Sequence, residues 1–392
     1  MRKGIIDPSL GSPAEKGRWP SDVRTVRSLL STALLSTLFF SWLWQAFRLY
    51  SSPGLVPYND EAGQLFHMPL FTGAALLVYG LRLRFSVASE EGSMSLPRRL
   101  ATLLLMWTPV LLMAIPVADE YSRWTLFGGW LISVLAGIGA AIAGCRIGLA
   151  FCRFSSGQLV FGLGLASILT PICNYLVLLC PERYWLIPAL LFPGLFTLIP
   201  CGLEEYAEEK GNYPFSRIPL FFWIGWLFTA FSESAYYNLF GALEPVMPAA
   251  NMGVLLLVAL GGLSALLVLG QAHRSPIWYA FLLVIPVLVV GYTAWPLLHR
   301  ESPGLSLGGL LFGYTLLNIY MMTAFLHTVS YWQGLKRIEL LVFGFGGLAL
   351  ASWLGSFNSG WIGESIARGD SLNSLFAFQA FAILAGSFGF VV

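Results

Sequence analysis

The sequence predicts an all-α polytopic membrane protein, with twelve transmembrane helices in two six-helix halves. Three observations carry that reading. The first is composition: of 392 residues, 57% are hydrophobic and only 11% charged, against about 25% charged in an ordinary soluble domain. Mean hydropathy is +0.72. The 22 Lys/Arg and 20 Asp/Glu are too few to coat a soluble fold of this length, which excludes the soluble enzyme classes and a disordered chain. The second observation is a succession of long apolar runs. The third is an uneven placement of basic residues between them.

A spanning helix needs about 20 mainly apolar residues to cross roughly 30 Å of hydrocarbon. Twelve runs meet that need, at about 29–49, 63–82, 99–118, 124–145, 157–179, 184–202, 218–240, 250–271, 277–298, 304–326, 337–357 and 371–392. They are continuous apolar stretches, unlike the short alternating segments of a β-barrel. The first follows a polar tail and ends in Trp42, Trp44, Arg48 and Tyr50, so it reads as a retained span and not a cleaved signal peptide. Residues 1–28 form an N-terminal tail, 29–202 the first half, 203–217 a connector and 218–392 the second half. The connector holds Glu204, Glu205, Glu208, Glu209 and Lys210, the densest charge cluster present.

Orientation follows from the bias of Lys and Arg toward cytoplasmic loops. With the N-terminus inside, cytoplasmic segments hold Arg2, Lys3, Lys16, Arg18, Arg24, Arg27, Arg82, Arg84, Arg98, Arg99, Arg146, Arg153, Lys210, Arg217, Arg274, Lys336 and Arg337. The outer segments hold only Arg48, Arg123, Arg183, Arg300 and Arg368. This predicts a multi-pass protein of a bacterial-type inner membrane with both termini cytoplasmic. Cys145, Cys152, Cys173, Cys180 and Cys201 show no CxxC spacing and lie in or beside apolar runs. They predict neither a disulfide framework nor a metal site.

Six spans, a charged cytoplasmic connector and six more spans resemble the major facilitator superfamily. Local support lies in the loop after span two, Tyr79-Gly80-Leu81-Arg82-Leu83-Arg84 continuing to Pro97-Arg98-Arg99, which resembles the family's basic signature loop. Gly80 and the arginines match that signature, although no acid stands between Gly80 and Arg84. Span four carries Gly128, Gly129, Gly137, Gly139 and Gly144. Span five carries Gly162, Gly164 and Pro171, and span eleven Gly344, Gly346, Gly347 and Gly355. Small residues at such spacing let helices approach closely. The resemblance implies secondary transport of a small molecule by alternating access, with a site between the halves near the midplane. The short connector and the run Gly137 to Pro181 are also similar to the membrane half of LuxR-type regulators. That second resemblance implies a ligand sensor that does not transport and here lacks its DNA-binding domain.

Ionisable and amide side chains inside spans are costly and therefore point to sites. Glu233 is the one acid well inside a predicted span. At 1.5 Å per residue it lies about 22 Å along span seven, in the outer third, with Thr229, Tyr236 and Tyr237 at helical spacing and Trp226 further in. Span ten carries Tyr314, Asn318 and Met322 at four-residue spacing, and span five carries Asn174 three residues after Pro171. Glu233, Tyr237, Asn318 and Asn174 are the expected substrate-binding residues. His67, in the outer part of span two, is the expected gate, facing Glu233 across the two halves.

Trp42, Trp44, Trp124, Tyr184, Trp185, Trp295, Trp332 and Trp361 fall near span ends and read as interfacial anchors. Trp226 and Tyr320 read as lining for an amphipathic substrate. No HExxH, GxSxG, Walker A or dinucleotide motif is present. The sequence therefore predicts no enzyme, catalytic residue, metal, cofactor or direct nucleic-acid contact. The expected partners are a small-molecule ligand or substrate and the lipid bilayer, and nothing in the chain fixes an oligomeric state. If His67 and Glu233 form a gate, His67→Ala and Glu233→Gln combined cost less ligand affinity than the two single losses added. A double-mutant cycle on purified protein measures this, and strict additivity rejects the pair.

Overall fold

The structure is a computed structural model, and it describes residues 23–51, 68–85, 96–113, 123–199, 260–267, 303–330 and 334–367. It also describes Trp223, Trp226, Leu227, Ala230, Phe231, Ser234 and Trp332. The described residues hold helices and short turns and no strand. In chain order the helices are α1 (Val23–Ser51), α2 (Met68–Phe85), α3 (Leu96–Met113), α4 (Arg123–Phe151), α5 (Ser156–Leu178), α6 (Leu186–Leu198), α7 (Pro303–Ser330) and α8 (Gly334–Ala367). A further helical stretch covers 260–267. Stretches of α1, α4, α5 and α8 are each long and apolar enough to cross a membrane. In hydrocarbon a spanning segment must satisfy its backbone internally, so the helix is the default even for the Gly-rich α4. The same constraint tolerates Pro109, Pro171 and Pro193 inside α3, α5 and α6.

Several helices differ in extent from the apolar runs. α4 runs on to Phe151, past the expected end at 145, and so takes Arg146 into the helix. There the Arg146 guanidinium donates to the carbonyls of Phe196 (2.9 Å) and Ile199 (2.6 Å) and lies over the Phe196 ring. These carbonyls end α6 and have no intrahelical partner; the cation is neutralised by the negative end of that helix. Arg337 plays the same part at the end of α7, donating to Trp332 O (2.6 Å) and Ser330 O (3.3 Å). Lys336 beside it sits over the Trp332 ring. α6 is shorter than its run because a 3-10 turn at Glu182–Tyr184 precedes it. Between α4 and α5 the chain reverses within Cys152–Ser155, where the Ser155 backbone N–H donates to Gln158 Oε1 (3.0 Å).

α1 packs along α5 and α6, α3 along α4 and α6, and α2 along α4 and most extensively α8. Two seams join helices far apart in sequence. In the first, a Cβ on Gly73 of α2 would stand 2.7 Å from Leu350 Cγ and 3.0 Å from Gly346 O of α8. One or two turns on, Leu76 and Leu77 face Gly346, and Gly80 faces Val342 and Phe343. The partner numbers fall as α2 advances, so the two helices run antiparallel. In the second seam, a Cβ on Gly262 would stand 2.7 Å from Gly164 O of α5. At both seams only a hydrogen leaves room for the facing helix. Near the end of α4, Gly148 abuts Leu341 and Phe345 of α8.

Replacing Arg146 by Met should lower stability by about 2 kcal/mol, because hydrogen bonds to a charged donor are lost and two carbonyls are left open. Arg146→Lys should recover only part of this, since an ammonium lacks the planar fork that spans two acceptors. Thermal melting of the purified protein in detergent reads both effects.

Candidate functional site

A polar side chain buried among membrane helices must find a partner or leave a costly vacancy in its hydrogen bonding. Most of the described hydroxyls solve this locally. Thr32, Thr37, Thr72, Thr323 and Thr328 each donate to a carbonyl one turn back in their own helix. A smaller set does not. Ser36 Oγ, Ser41 Oγ, Trp42 Nε1 and both amide atoms of Gln45, all on α1, are buried with no hydrogen-bond partner among the described residues. Asn174 Oδ1 on α5 is in the same condition. Gln45 is 0% exposed and Asn174 2%, so bulk solvent does not reach them.

These residues stand at matching height. Leu29 of α1 lies against Gly162 of α5, its Cδ1 3.0 Å from where a Cβ would be. Successive spans alternate in direction, so the first and fifth run the same way. Ser41 and Asn174 each lie twelve residues beyond that contact, about 18 Å at 1.5 Å per residue, and Gln45 lies one turn further. Asn174 also faces inward. At 100° per residue it falls between Gly162, which meets α1, and Gly164, which meets the 260–267 stretch. Ile172, Leu176 and Leu179, exposed on α5, occupy the opposite arc.

Of the residues expected to bind substrate, Asn174 is thus buried and incompletely bonded. Asn318 lies half-buried on α7 and is engaged with a neighbour. The two stand at different heights. Gly262 meets Gly164 and Ser167 while adjacent Gly261 meets Thr315, which sets Thr315 and Asn318 roughly 10–20 Å from Asn174 along the helix axes, toward the start of α5. Glu233, Tyr237 and the expected gate His67 lie outside the described residues.

Two aromatic expectations are corrected. Trp42 and Trp185 are not interfacial anchors: they are 0% and 4% exposed. Trp42 packs beside Phe39, which reaches Phe196 of α6, and Trp185 Nε1 donates to Cys180 O (3.0 Å). Trp226 is a packing element, stacked on Phe325 with centroids 4.8 Å apart and donating to Gly344 O (3.3 Å). Gly344 to Gly347 likewise pack against Phe325, Leu76, Leu77 and Leu227. Sequence reasoning passed over Gln45 and Ser41. Their signal was visible as Thr37, Ser41 and Gln45, three polar residues at four-residue spacing in an apolar run.

No protein-family model matches the sequence, and no curated protein matches it. Solved structures do. The proton:xylose symporter XylE bound to 6-bromo-6-deoxy-D-glucose superposes with a TM-score of 0.59 at 14% identity, over 93% of this chain and 94% of that one. The chain shares the fold of that structure. The human organic anion transporter MFSD10 gives 0.59 at 15% identity, over 95% and 100% of the two chains. A bacterial homologue of the iron transporter ferroportin, in an outward-facing state, gives 0.52 at 13% identity over 93% and 98%. Within the facilitator fold, the chain is a multi-pass membrane protein, and the likeness at these identities is one of architecture.

If Trp226 serves packing alone, Trp226→Ala should destabilise by about 3–5 kcal/mol. Trp226→Phe keeps the stacked ring and should cost about 1 kcal/mol, the worth of one long hydrogen bond. Melting curves report the costs. A ligand affinity that changes in Trp226→Phe would return the residue to the binding site.

Proposed function

We propose that this protein is a secondary transporter that moves a small molecule across the inner membrane by alternating access. The observation that carries the reading is the pair of glycine seams, Gly73–Gly346 and Gly164–Gly262. They join helices of the N-terminal part to helices of the C-terminal part within a facilitator fold that matches over 93–95% of the chain. At each seam a glycine lets a backbone carbonyl and a leucine of the facing helix, Leu350 or Leu266, come close, and small residues at the boundary between two bodies suit helices that rock against each other. The rocking bodies are residues 29–202 and 218–392, linked by the cytoplasmic connector 203–217, with both termini cytoplasmic. Glu233, Tyr237, Asn318 and Asn174 line the substrate path, with His67 at its outer gate. The reaction is translocation, with no covalent chemistry.

Two architectural neighbours carry unlike cargoes, a sugar with a proton and an organic anion. The fold therefore supports a class of process and leaves the cargo to side chains. The test is uptake by proteoliposomes of any compound that stabilises the purified protein. Flux is expected, and it should fall stepwise from Gly73 to Gly73→Ala to Gly73→Val as the first seam is wedged, while binding persists. Binding without flux in the wild-type protein overturns the transport reading in favour of a ligand-sensing module of the LuxR-regulator kind.

A further inference from the structure

The two halves of the chain meet tightly at one end of the bundle. α2 and α4 finish there, at Phe85 and Phe151, and α8 starts there, at Gly334. Arg82, Arg146, Lys336 and Arg337 mark it as the basic, cytoplasmic end. We infer that the structure is closed toward the cytoplasm by a dry apolar plug, in which a ridge of large side chains on α8 fills a groove of small residues between α2 and α4. The inference rests on the transport reading for its purpose, because a plug serves only a path that opens.

The ridge follows from spacing. Ile338, Leu341, Val342 and Phe345 share one face of α8, at offsets of three, four and seven residues. Ala141, Cys145 and Gly148 share one face of α4 in the same way. Leu76, Ala141 and Val342 form one buried cluster, with Ala75, Cys145, Ile338 and Phe345 packed on it. A Cβ on Gly148 would stand 2.6 Å from Phe345 Cε2 and 2.7 Å from Leu341 Cδ1, and one on Gly80 would stand 3.2 Å from Val342 Cγ1. Leu341 and Val342 are 0% exposed. At 1.5 Å per residue, all of these positions lie within about 17 Å of the cytoplasmic ends of their helices.

The chemistry suits a seal that must also release. None of these side chains is charged, and a tight hydrophobic constriction excludes water and dissolved solutes by dewetting. With no ion pair in the plug to break, opening costs mainly the wetting of apolar surface. The groove side is rich in Gly and Ala, which have no side-chain rotamers to rearrange. The ridge can therefore lift out and return without repacking the groove.

The test uses the full chain with its five cysteines replaced by serine or alanine, in inside-out and right-side-out vesicles. In Val342→Cys, a membrane-impermeant maleimide should label slowly from either face. Adding Gly148→Leu wedges the plug and should raise the rate at least tenfold, from the cytoplasmic face alone. Adding Phe345→Ala to that pair vacates the space the wedge takes and should return the rate toward that of Val342→Cys, a rescue that a misfolded variant would not show. In Gly80→Cys with Val342→Cys the two Cβ atoms stand within about 4.7 Å, close to the roughly 3.5–4.5 Å of disulfides. Oxidation should join them and stop flux, and reduction should restore it.

Five outcomes overturn the inference. They are fast labelling of Val342→Cys without the wedge, labelling from the outer face, a wedge that leaves the rate unchanged or whose effect Phe345→Ala does not reverse, failure of the paired cysteines to oxidise, and undiminished flux through the oxidised pair. If the unmodified protein carries no solute, the transport reading falls, and labelling and cross-linking alone decide the plug. Flux in a protein whose Val342→Cys thiol is unshielded keeps transport and removes the plug.

Discussion

The architecture rests on close backbone approach between helices that cannot rely on the hydrophobic effect to hold together. Lipid tails are as apolar as leucine, so burying leucine against leucine inside a bilayer gains little over burying it in lipid. What remains is dense van der Waals contact, and density needs small residues. Along α2 and α8 the need is met by Gly73 and Gly346, and between α5 and the 260–267 stretch by Gly164 and Gly262. The same four positions connect parts of the chain some 100 to 270 residues apart. Each seam is tight because a glycine lets a carbonyl and a leucine of the facing helix close on it.

Charge is used sparingly and locally. Arg146 and Arg337 each close the carbonyl end of a different helix, α6 and α7. Neither bond is to a carboxylate. A guanidinium on a helix C-terminus here answers two otherwise open acceptors without requiring a buried acid. Two of the basic residues from which the orientation is argued thereby also fix helix ends. The buried polar groups of α1 and Asn174 of α5 show the opposite habit, neutral and without hydrogen-bond partners among the described residues.

Several features were legible in the sequence because they depend on composition over a window. The position of α5, expected at 157–179, is met by Ser156–Leu178. The packing use of Gly344 to Gly347 followed from glycines set inside an apolar run. Asn174 could be singled out because a lone amide among aliphatic residues is conspicuous. Other features were not legible. Trp42 near a span end looks like an interfacial ring, and nothing in the sequence reveals that it is buried beside Phe39, which meets Phe196 of α6. Arg146 looks like a loop residue until the end of α6 is brought beside it.

What the sequence by itself determined is the material of the molecule: a membrane-embedded all-helical chain, and the basic bias from which its orientation is argued. These follow from transfer of side chains and backbone into hydrocarbon, a property each segment has alone. What only the tertiary structure decided is pairing. It set α2 against α8, levelled Asn174 with Ser41, and placed Asn318 at a different height from Asn174. Pairing depends on which surfaces meet. A helix carries no record of its partner beyond the shape of its faces.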